Sequence, residues 1–158
     1  MKMRKSTGFS LIELVVTLAI LSILGLMTIP LAENASRRAK EGQLRESLQE
    51  IRHAIDSYKN AYDEGKILNS PELSGYPPSL EILVNGVPNQ RDTQRKKIYF
   101  LRRMPIDPFN ASQREQSNAW GKRSYTSEAD DPKDGVDIYD VYSKSDMLGL
   151  NGVPYKKL

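Results

Sequence analysis

The sequence has no cysteine and only one histidine and one tryptophan. Without cysteine, neither a disulfide framework nor a thiolate zinc site can form. The only histidine, His53, restricts acid–base and metal chemistry, and no Ser-His-Asp arrangement stands out along the chain. We therefore expect a protein that is not an enzyme.

An excess of charge of one sign is also lacking. The formal net charge is +3, and three basic side chains lie in the first eight residues, so the rest of the chain is near neutrality. Such a chain has little electrostatic attraction for nucleic acid. We therefore interpret the basic segment 91–103, with Tyr99 and Phe100, as a polar loop leading into a strand whose apolar residues face the core, and we expect no nucleic-acid partner.

Charge is almost absent from residues 9–32, where Glu13 is the single ionisable side chain. A helix of this length is roughly 36 Å long, enough for the ~30 Å hydrocarbon core of a bilayer. The basic start and apolar run resemble a secretory signal, but the run is too long and no small-x-small cleavage site follows it. The pattern also continues into an amphipathic helix, so we predict that this transmembrane segment stays in the mature protein.

Glu13 is the unusual residue of this run, because a carboxylate at membrane depth is costly and needs a partner. No basic side chain lies between residues 9 and 32. One interpretation places Glu13 at the membrane interface, in a first helical turn whose dipole favours negative charge. The other is that the chain is cut before Phe9, so that a new α-amine on the same or a neighbouring copy becomes the missing cation.

The string GFSLIELVV at residues 8–16, after a short basic leader, resembles the class III signal of type IV pilins and type II secretion pseudopilins. The resemblance implies that a prepilin peptidase cuts between Gly8 and Phe9 and methylates Phe9. It further implies that Glu13 is needed to dock a new subunit into a filament. Pro30 falls where this family carries a helix-interrupting proline.

Beyond residue 33 the composition becomes polar, and apolar residues recur at helical spacing. This pattern predicts one helix of about 55 residues, softened at Gly25 and Pro30 and ending near Gly65. The apolar stripe could be a coiled-coil seam, but a folded domain follows and packing on a core is the favoured interpretation. The stripe comprises Ala35, Ala39, Leu44, Leu48, Ile51, Ile55, Tyr58 and Tyr62.

The remaining chain predicts shorter elements. Ser79 is expected to cap a short helix that stops at Gly86. Extended segments are expected at residues 96–103, 122–127, 136–143 and 153–157, of which the second and third have the stronger signals and are joined by a turn-rich stretch. The predicted fold class is α+β and pilin-like, with a long N-terminal helix, transmembrane in one half and amphipathic in the other, packed on a small antiparallel β-sheet.

This interpretation divides the chain into four segments. Residues 1–8 are a prepilin leader, and residues 9–32 are the transmembrane or filament-core helix. Residues 33–64 are the amphipathic helix of the globular domain, and residues 65–158 form its loop, short helix and small sheet.

The C-terminal half adds a second resemblance. The segments GYPPSLEILV, PIDPF…WGKRSY and DIYDVYSKSD follow one another as in the major, or G-type, pseudopilins. Those proteins hold calcium in a C-terminal loop, and here Asp146 stands at the loop aspartate while Asn151 could add an oxygen. The chain departs from the pattern by a polar insertion before Trp120 and by lacking the second acidic cluster. The resemblance thus leaves two alternatives, calcium or no cofactor.

The function implied by these resemblances is that of a structural filament subunit in a type II secretion system. Its expected partners are copies of itself, prepilin peptidase, other pseudopilins and the inner-membrane assembly platform. It would be a single-pass protein of the bacterial inner membrane, with its C-terminal domain and assembled filament in the periplasm. The alternatives are a type IV pilin for adhesion or motility and a signal-anchored periplasmic binding module.

Overall fold

The structure is a computed structural model that describes residues 8–68, 74–110 and 116–158, apart from the side chains of residues 26–32 and 116. The chain divides into two compact units, and the division falls between Ala39 and Lys40. The helices and strands, in chain order, are α1 (Leu11–Asp63), α2 (Glu81–Asn85), β1 (Val87–Pro88), β2 (Lys97–Ile98), β3 (Trp120–Arg123) and β4 (Asp140–Ser143). Short 3-10 turns cover Gln116–Ala119 and Tyr155–Lys157.

The first unit consists of the beginning of α1. Polar side chains in this apolar stretch hydrogen-bond to the helix itself, which removes the need for an outside partner. Thr17 Oγ1 donates to the Leu14 carbonyl at 2.9 Å, and Ser22 Oγ donates to the Leu18 carbonyl at 2.7 Å. The helix continues through Pro30, so the predicted single long helix is confirmed, while the side chain of Pro30 lies outside the described residues.

The second unit is built on the other end of α1. Its buried stripe matches the predicted one from Leu44 to Tyr62, but Ala35 and Ala39 are exposed. The helix ends at Asp63, and Gly65, with φ of 68°, follows in the left-handed conformation that commonly terminates helices. The stripe therefore packs on a core within the chain, and the coiled-coil alternative is not needed to explain it.

The short helix α2 forms where it was predicted and stops before Gly86. Gly86 has φ of 72°, and a Cβ at this position would lie 2.8 Å from the Ile98 carbonyl oxygen. The predicted cap at Ser79 is wrong, because the N-cap residue is Leu80 and it makes no side-chain cap hydrogen bond. Leu80 is fully buried, so core packing rather than a capping side chain positions this helix start.

Two antiparallel pairs supply the β-structure. β1 pairs with β2 through Val87 and Ile98, and β3 pairs with β4 from Trp120 opposite Ser143 to Arg123 opposite Asp140. A long helix with small antiparallel sheets is the α+β, pilin-like arrangement predicted from the sequence, and the fold class is confirmed.

The lengths of the predicted strands need correction. Only Lys97–Ile98 of the extended segment 96–103 is a strand, and β3 begins before residue 122 and ends at Arg123. Of the predicted strand 136–143, only Asp140–Ser143 is a strand. The fourth prediction, at residues 153–157, is wrong, because Tyr155–Lys157 forms a 3-10 turn beside an isolated bridge between Leu148 and Pro154.

An ion-pair network fastens the β3–β4 hairpin to α1. Arg52 Nε lies 2.7 Å from Asp140 Oδ1, and Arg123 lies 3.3 Å from the other carboxylate oxygen. Arg52 also donates to the Val141 carbonyl at 3.2 Å. One guanidinium of the helix thus binds both a side chain and the backbone of β4, which fixes the hairpin against the second unit's helix.

Candidate processing and assembly site

The N-terminal end of the described chain exposes the predicted cleavage point. Residues 8–10 form no regular structure before α1 begins, and Gly8 has open space where a Cβ would stand. The Phe9 side chain is 78% exposed. The peptide bond between Gly8 and Phe9 is therefore exposed in a segment without regular structure, whereas the leader residues 1–7 lie outside the described residues.

Glu13 lies in the first turn of α1 and is exposed. The unpaired amide groups of a helix N-terminus favour a nearby negative charge, as the interface interpretation of this residue requires. Glu13 also stands four residues after Phe9, close in sequence to the amine that cleavage would create. The position of Glu13 therefore suits both interpretations.

Large apolar side chains cover the described part of the first unit. Each side chain is about half exposed or more, and together they lie on all sides of the helix. They form far more contiguous apolar surface than a soluble monomer normally shows. Among the residues whose side chains are described, no helix is long and apolar enough to cross a membrane. The predicted span includes residues 26–32, whose side chains lie outside that description. The exposed residues are Leu11, Ile12, Leu14, Val15, Val16, Leu18, Ile20, Leu21, Ile23 and Leu24.

The two residues proposed for calcium do not form a suitable site. The Asp146 side chain is 91% exposed, and its carboxylate lies 3.5 Å from Lys156 Nζ. Asn151 Oδ1 accepts a hydrogen bond from the Val153 amide at 3.1 Å. Within the described ranges, no three acidic or histidine side chains are grouped so that they could hold a metal ion. Because calcium prefers six to eight oxygens, this donor set does not fit it.

Two buried carboxylates were not singled out by the sequence analysis. Asp107 is fully buried and accepts hydrogen bonds from Ser143 Oγ at 2.7 Å and the Phe109 amide at 2.8 Å. Asp137 is 4% exposed and accepts from Ser74, from Ser124 and from the Tyr125 amide. These acids join loops to the hairpin, so their role is structural.

The environment of Asp137 favours its charged form. Burial raises the pKa of this carboxyl, but the hydrogen bonds from Ser124, Ser74 and the Tyr125 amide outweigh burial and hold the pKa below its usual value. A carboxylate that accepts several hydrogen bonds needs no neighbouring cation. In the sequence, Asp137 lies in the DIYD string, which was interpreted only as part of a strand.

The basic segment that could have suggested nucleic-acid binding agrees only in part with the predicted strand, because β2 ends at Ile98 and the aromatic pair follows it. Phe100 packs against Tyr58 of α1, with ring centroids 5.4 Å apart, and Leu101 is buried. Tyr99 is exposed. One aromatic residue of the pair, Phe100, is therefore partly buried against the core, while the other faces outwards.

Comparison with known proteins gives two kinds of match. The family model described as the prokaryotic N-terminal methylation motif matches residues 3–29. The type II secretion system core protein G of Vibrio cholerae is 28% identical over 108 residues, covering 68% of each chain. The protein of the same name from Pseudomonas aeruginosa is 28% identical over 110 residues, covering 69% of this chain and 72% of its own. No solved structure matches significantly.

The first match concerns the N-terminal motif, and the other two concern most of the chain. The chain carries the N-terminal methylation motif over the residues that resemble the pilin and pseudopilin signal. Over about two thirds of its length it is similar to G-type pseudopilins of type II secretion. The resemblance predicted from the sequence is thereby confirmed, including the similarity to G-type pseudopilins.

Proposed function

We propose that this chain is a structural subunit of a type II secretion pseudopilus rather than an enzyme. The observation that carries the proposal is the apolar surface of residues 9–24 in the first unit, which begins directly after an accessible Gly8–Phe9 bond and contains one carboxylate, Glu13. A surface of this kind is stable only in lipid or against other apolar helices. The similarity to core protein G supports the secretion system over the alternative of an adhesive or motile pilus.

The proposed pathway uses both environments in succession. The chain enters the bacterial inner membrane through residues 9–32 as a single-pass protein, with its C-terminal domain in the periplasm. Prepilin peptidase cuts after Gly8 and methylates Phe9. The subunit then leaves the bilayer, and its apolar helix packs against the helices of other copies in a periplasmic filament, with the assembly platform and other pseudopilins as partners.

Glu13 would guide this assembly step. The Phe9 amine of an adjacent subunit can pair with the Glu13 carboxylate, so that neither charge stays uncompensated in the apolar filament core. Removing one partner of such a pair leaves the other charge buried and unpaired, which is strongly unfavourable. The pair would therefore specify the register between neighbouring subunits. Pro30, at the position of the family's helix-interrupting proline, would help the helix fit into the filament.

The first test is the intact mass and N-terminal sequence of the protein from native membranes. A chain that begins with methylated Phe9 supports the proposal, whereas a chain that retains Met1 in cells with active prepilin peptidase favours a signal-anchored binding module. Deletion of the gene should then leave exported proteins in the periplasm. Normal export by the deletion strain would instead favour a type IV pilin.

The second test separates processing from assembly. Glu13→Gln keeps the size of the side chain but removes its charge, and Glu33→Gln is the matched control on the same helix, outside the proposed apolar segment. We expect both variants to be cleaved after Gly8, and only Glu13→Gln to lose crosslinked multimers in vivo. Wild-type assembly of Glu13→Gln would disprove the pairing.

A further inference from the structure

The C-terminal loop of the second unit, residues 144–155, follows β4 and is attached to α1 by a glutamate that no sequence motif indicated. Glu41 Oε1 accepts a hydrogen bond from the Leu150 amide at 2.7 Å and another from Tyr155 Oη at 2.9 Å. These donors are 109 and 114 residues away along the chain. One helix carboxylate therefore holds the tip of the loop and the residue that ends it.

The loop also closes through its own backbone. The Gly149 amide donates to the Val153 carbonyl at 2.8 Å, the Gly152 amide to the Gly149 carbonyl at 2.9 Å, and the Tyr155 amide to the Met147 carbonyl at 3.1 Å. These carbonyls are the kind of oxygen that a calcium loop directs at its ion. Here they face amides of the same loop, so its shape is maintained by hydrogen bonds.

The tyrosine that reaches Glu41 is itself firmly placed. Tyr155 is fully buried, and its ring stacks on Phe109 with centroids 4.2 Å apart. A buried tyrosine hydroxyl needs a hydrogen-bond partner, and a carboxylate is a strong acceptor. The Glu41 contact thus completes the burial of Tyr155, and the core position of the ring in turn fixes the end of the loop.

We propose that Glu41 closes the C-terminal loop in this chain. The resemblance to G-type pseudopilins implied that calcium would have this role. The loop is fastened to α1 by a carboxylate that accepts two protein donors, while Asp146 pairs with Lys156 and Asn151 bonds within the loop. The folded state of the second unit is then independent of calcium. This inference concerns folding, so it does not depend on the proposed role in a pseudopilus.

The test uses the full chain in detergent, with fluorescence of the single tryptophan, the fully buried Trp120, reporting unfolding. We expect the wild-type Tm to be the same in excess calcium chloride and in EDTA. Glu41→Ala should lower the Tm by about 5 °C in both solutions, because two charge-assisted hydrogen bonds are lost. Glu46→Ala, an exposed glutamate on the same helix, is the matched control and should change little.

Hydrogen exchange makes the result specific to the loop. Hydrogen exchange of the Leu150 amide should be slow in the wild type with or without calcium, and faster in Tyr155→Phe and Glu41→Ala. A wild-type Tm that rises by several degrees with calcium would overturn the proposal, as would equal effects of Glu41→Ala and Glu46→Ala. If Glu41→Ala does not fold, the wild-type Tm and Leu150 exchange, each with and without calcium, decide the question.

Discussion

The two ends of α1 are both rich in large apolar residues, yet they bury them differently. Between Leu11 and Leu24 the large apolar side chains are 48–79% exposed, whereas the stripe from Leu44 to Tyr62 is at most 8% exposed. The first end has apolar residues on every side, and the second has them on one stripe with polar residues between. An all-round apolar helix needs an apolar environment from outside the chain, and a striped helix provides a core within it.

The size of the difference explains why the first end needs that environment. Fully burying one leucine, isoleucine or valine side chain contributes about 1.5–3 kcal/mol. The free-energy cost of leaving several such side chains in water is therefore comparable with the free energy of unfolding of a small domain, which is about 5–15 kcal/mol. Membrane insertion and then filament packing would each remove it, and this is the physical link between the first unit and the proposed function.

The strongest test of the comparison is one leucine-to-alanine change at each end of α1. Leu48 is 1% exposed in the core, and Leu18 is 61% exposed. Leu48→Ala should lower the free energy of unfolding of the second unit by about 2–5 kcal/mol through lost burial and a cavity. Leu18→Ala should change it by less than about 0.5 kcal/mol. Urea unfolding in detergent, followed by Trp120 fluorescence, measures both.

An assembly assay adds a second readout for the same pair of variants. Leu18→Ala removes apolar surface that the proposed filament would bury, so it should reduce multimers more than its small effect on unfolding suggests. If Leu18→Ala and Leu48→Ala destabilised the second unit equally, the contrast between the two ends of the helix would be wrong.

A smaller effect is expected at the buried carboxylate Asp137. Asp137→Ala leaves the donors of Ser74, Ser124 and the Tyr125 amide without their acceptor, which should lower the free energy of unfolding by about 1–3 kcal/mol. Asp130→Ala, an exposed aspartate in the neighbouring turn, is the control and should have little effect. Urea unfolding at neutral pH measures the difference, and equal effects would contradict the role assigned to Asp137.

The contribution of Asp137 should also depend on pH. Its pKa is lowered in the folded state, so the carboxylate stabilises the fold above the pKa of the unfolded chain, about 4. The stabilisation decreases as the pH falls below that value and is lost as the pH passes through the folded-state pKa. The difference in stability between the wild type and Asp137→Ala should therefore shrink in acid, and a difference that grew there would contradict this sign.

The elements predicted well were those set by local periodicity. The stripe from Leu44 to Tyr62 determined the buried face of α1, because residues spaced by three and four share one side of a helix. Gly86 marked the end of α2 because its left-handed backbone and its close approach to the Ile98 carbonyl exclude most side chains. Local chemistry was sufficient for both.

The features that were missed depend on contacts between distant residues. β3 ends at Arg123 because Ser124 and Tyr125 turn to bond Asp137, and no alternation of apolar residues encodes that bond. Glu41 looked like any polar residue of a solvated helix face. Its partners lie more than a hundred residues away in sequence, so only the fold reveals that it holds the C-terminal loop.

The smallest expected effect compares a glycine at each end of α1. Gly42 and Gly25 are both exposed within the helix, and a Cβ at either position would meet nothing within 4 Å. Alanine at Gly42 should raise the free energy of unfolding of the second unit by about 0.5–1 kcal/mol, because glycine loses more backbone entropy on folding. Alanine at Gly25 gives the same local gain, but Gly25 belongs to the first unit. Urea unfolding followed by Trp120 should therefore detect only Gly42→Ala. An equal gain from Gly25→Ala would mean that the two ends of α1 unfold as one cooperative element, and the helix would then differ along its length in surface but not in stability.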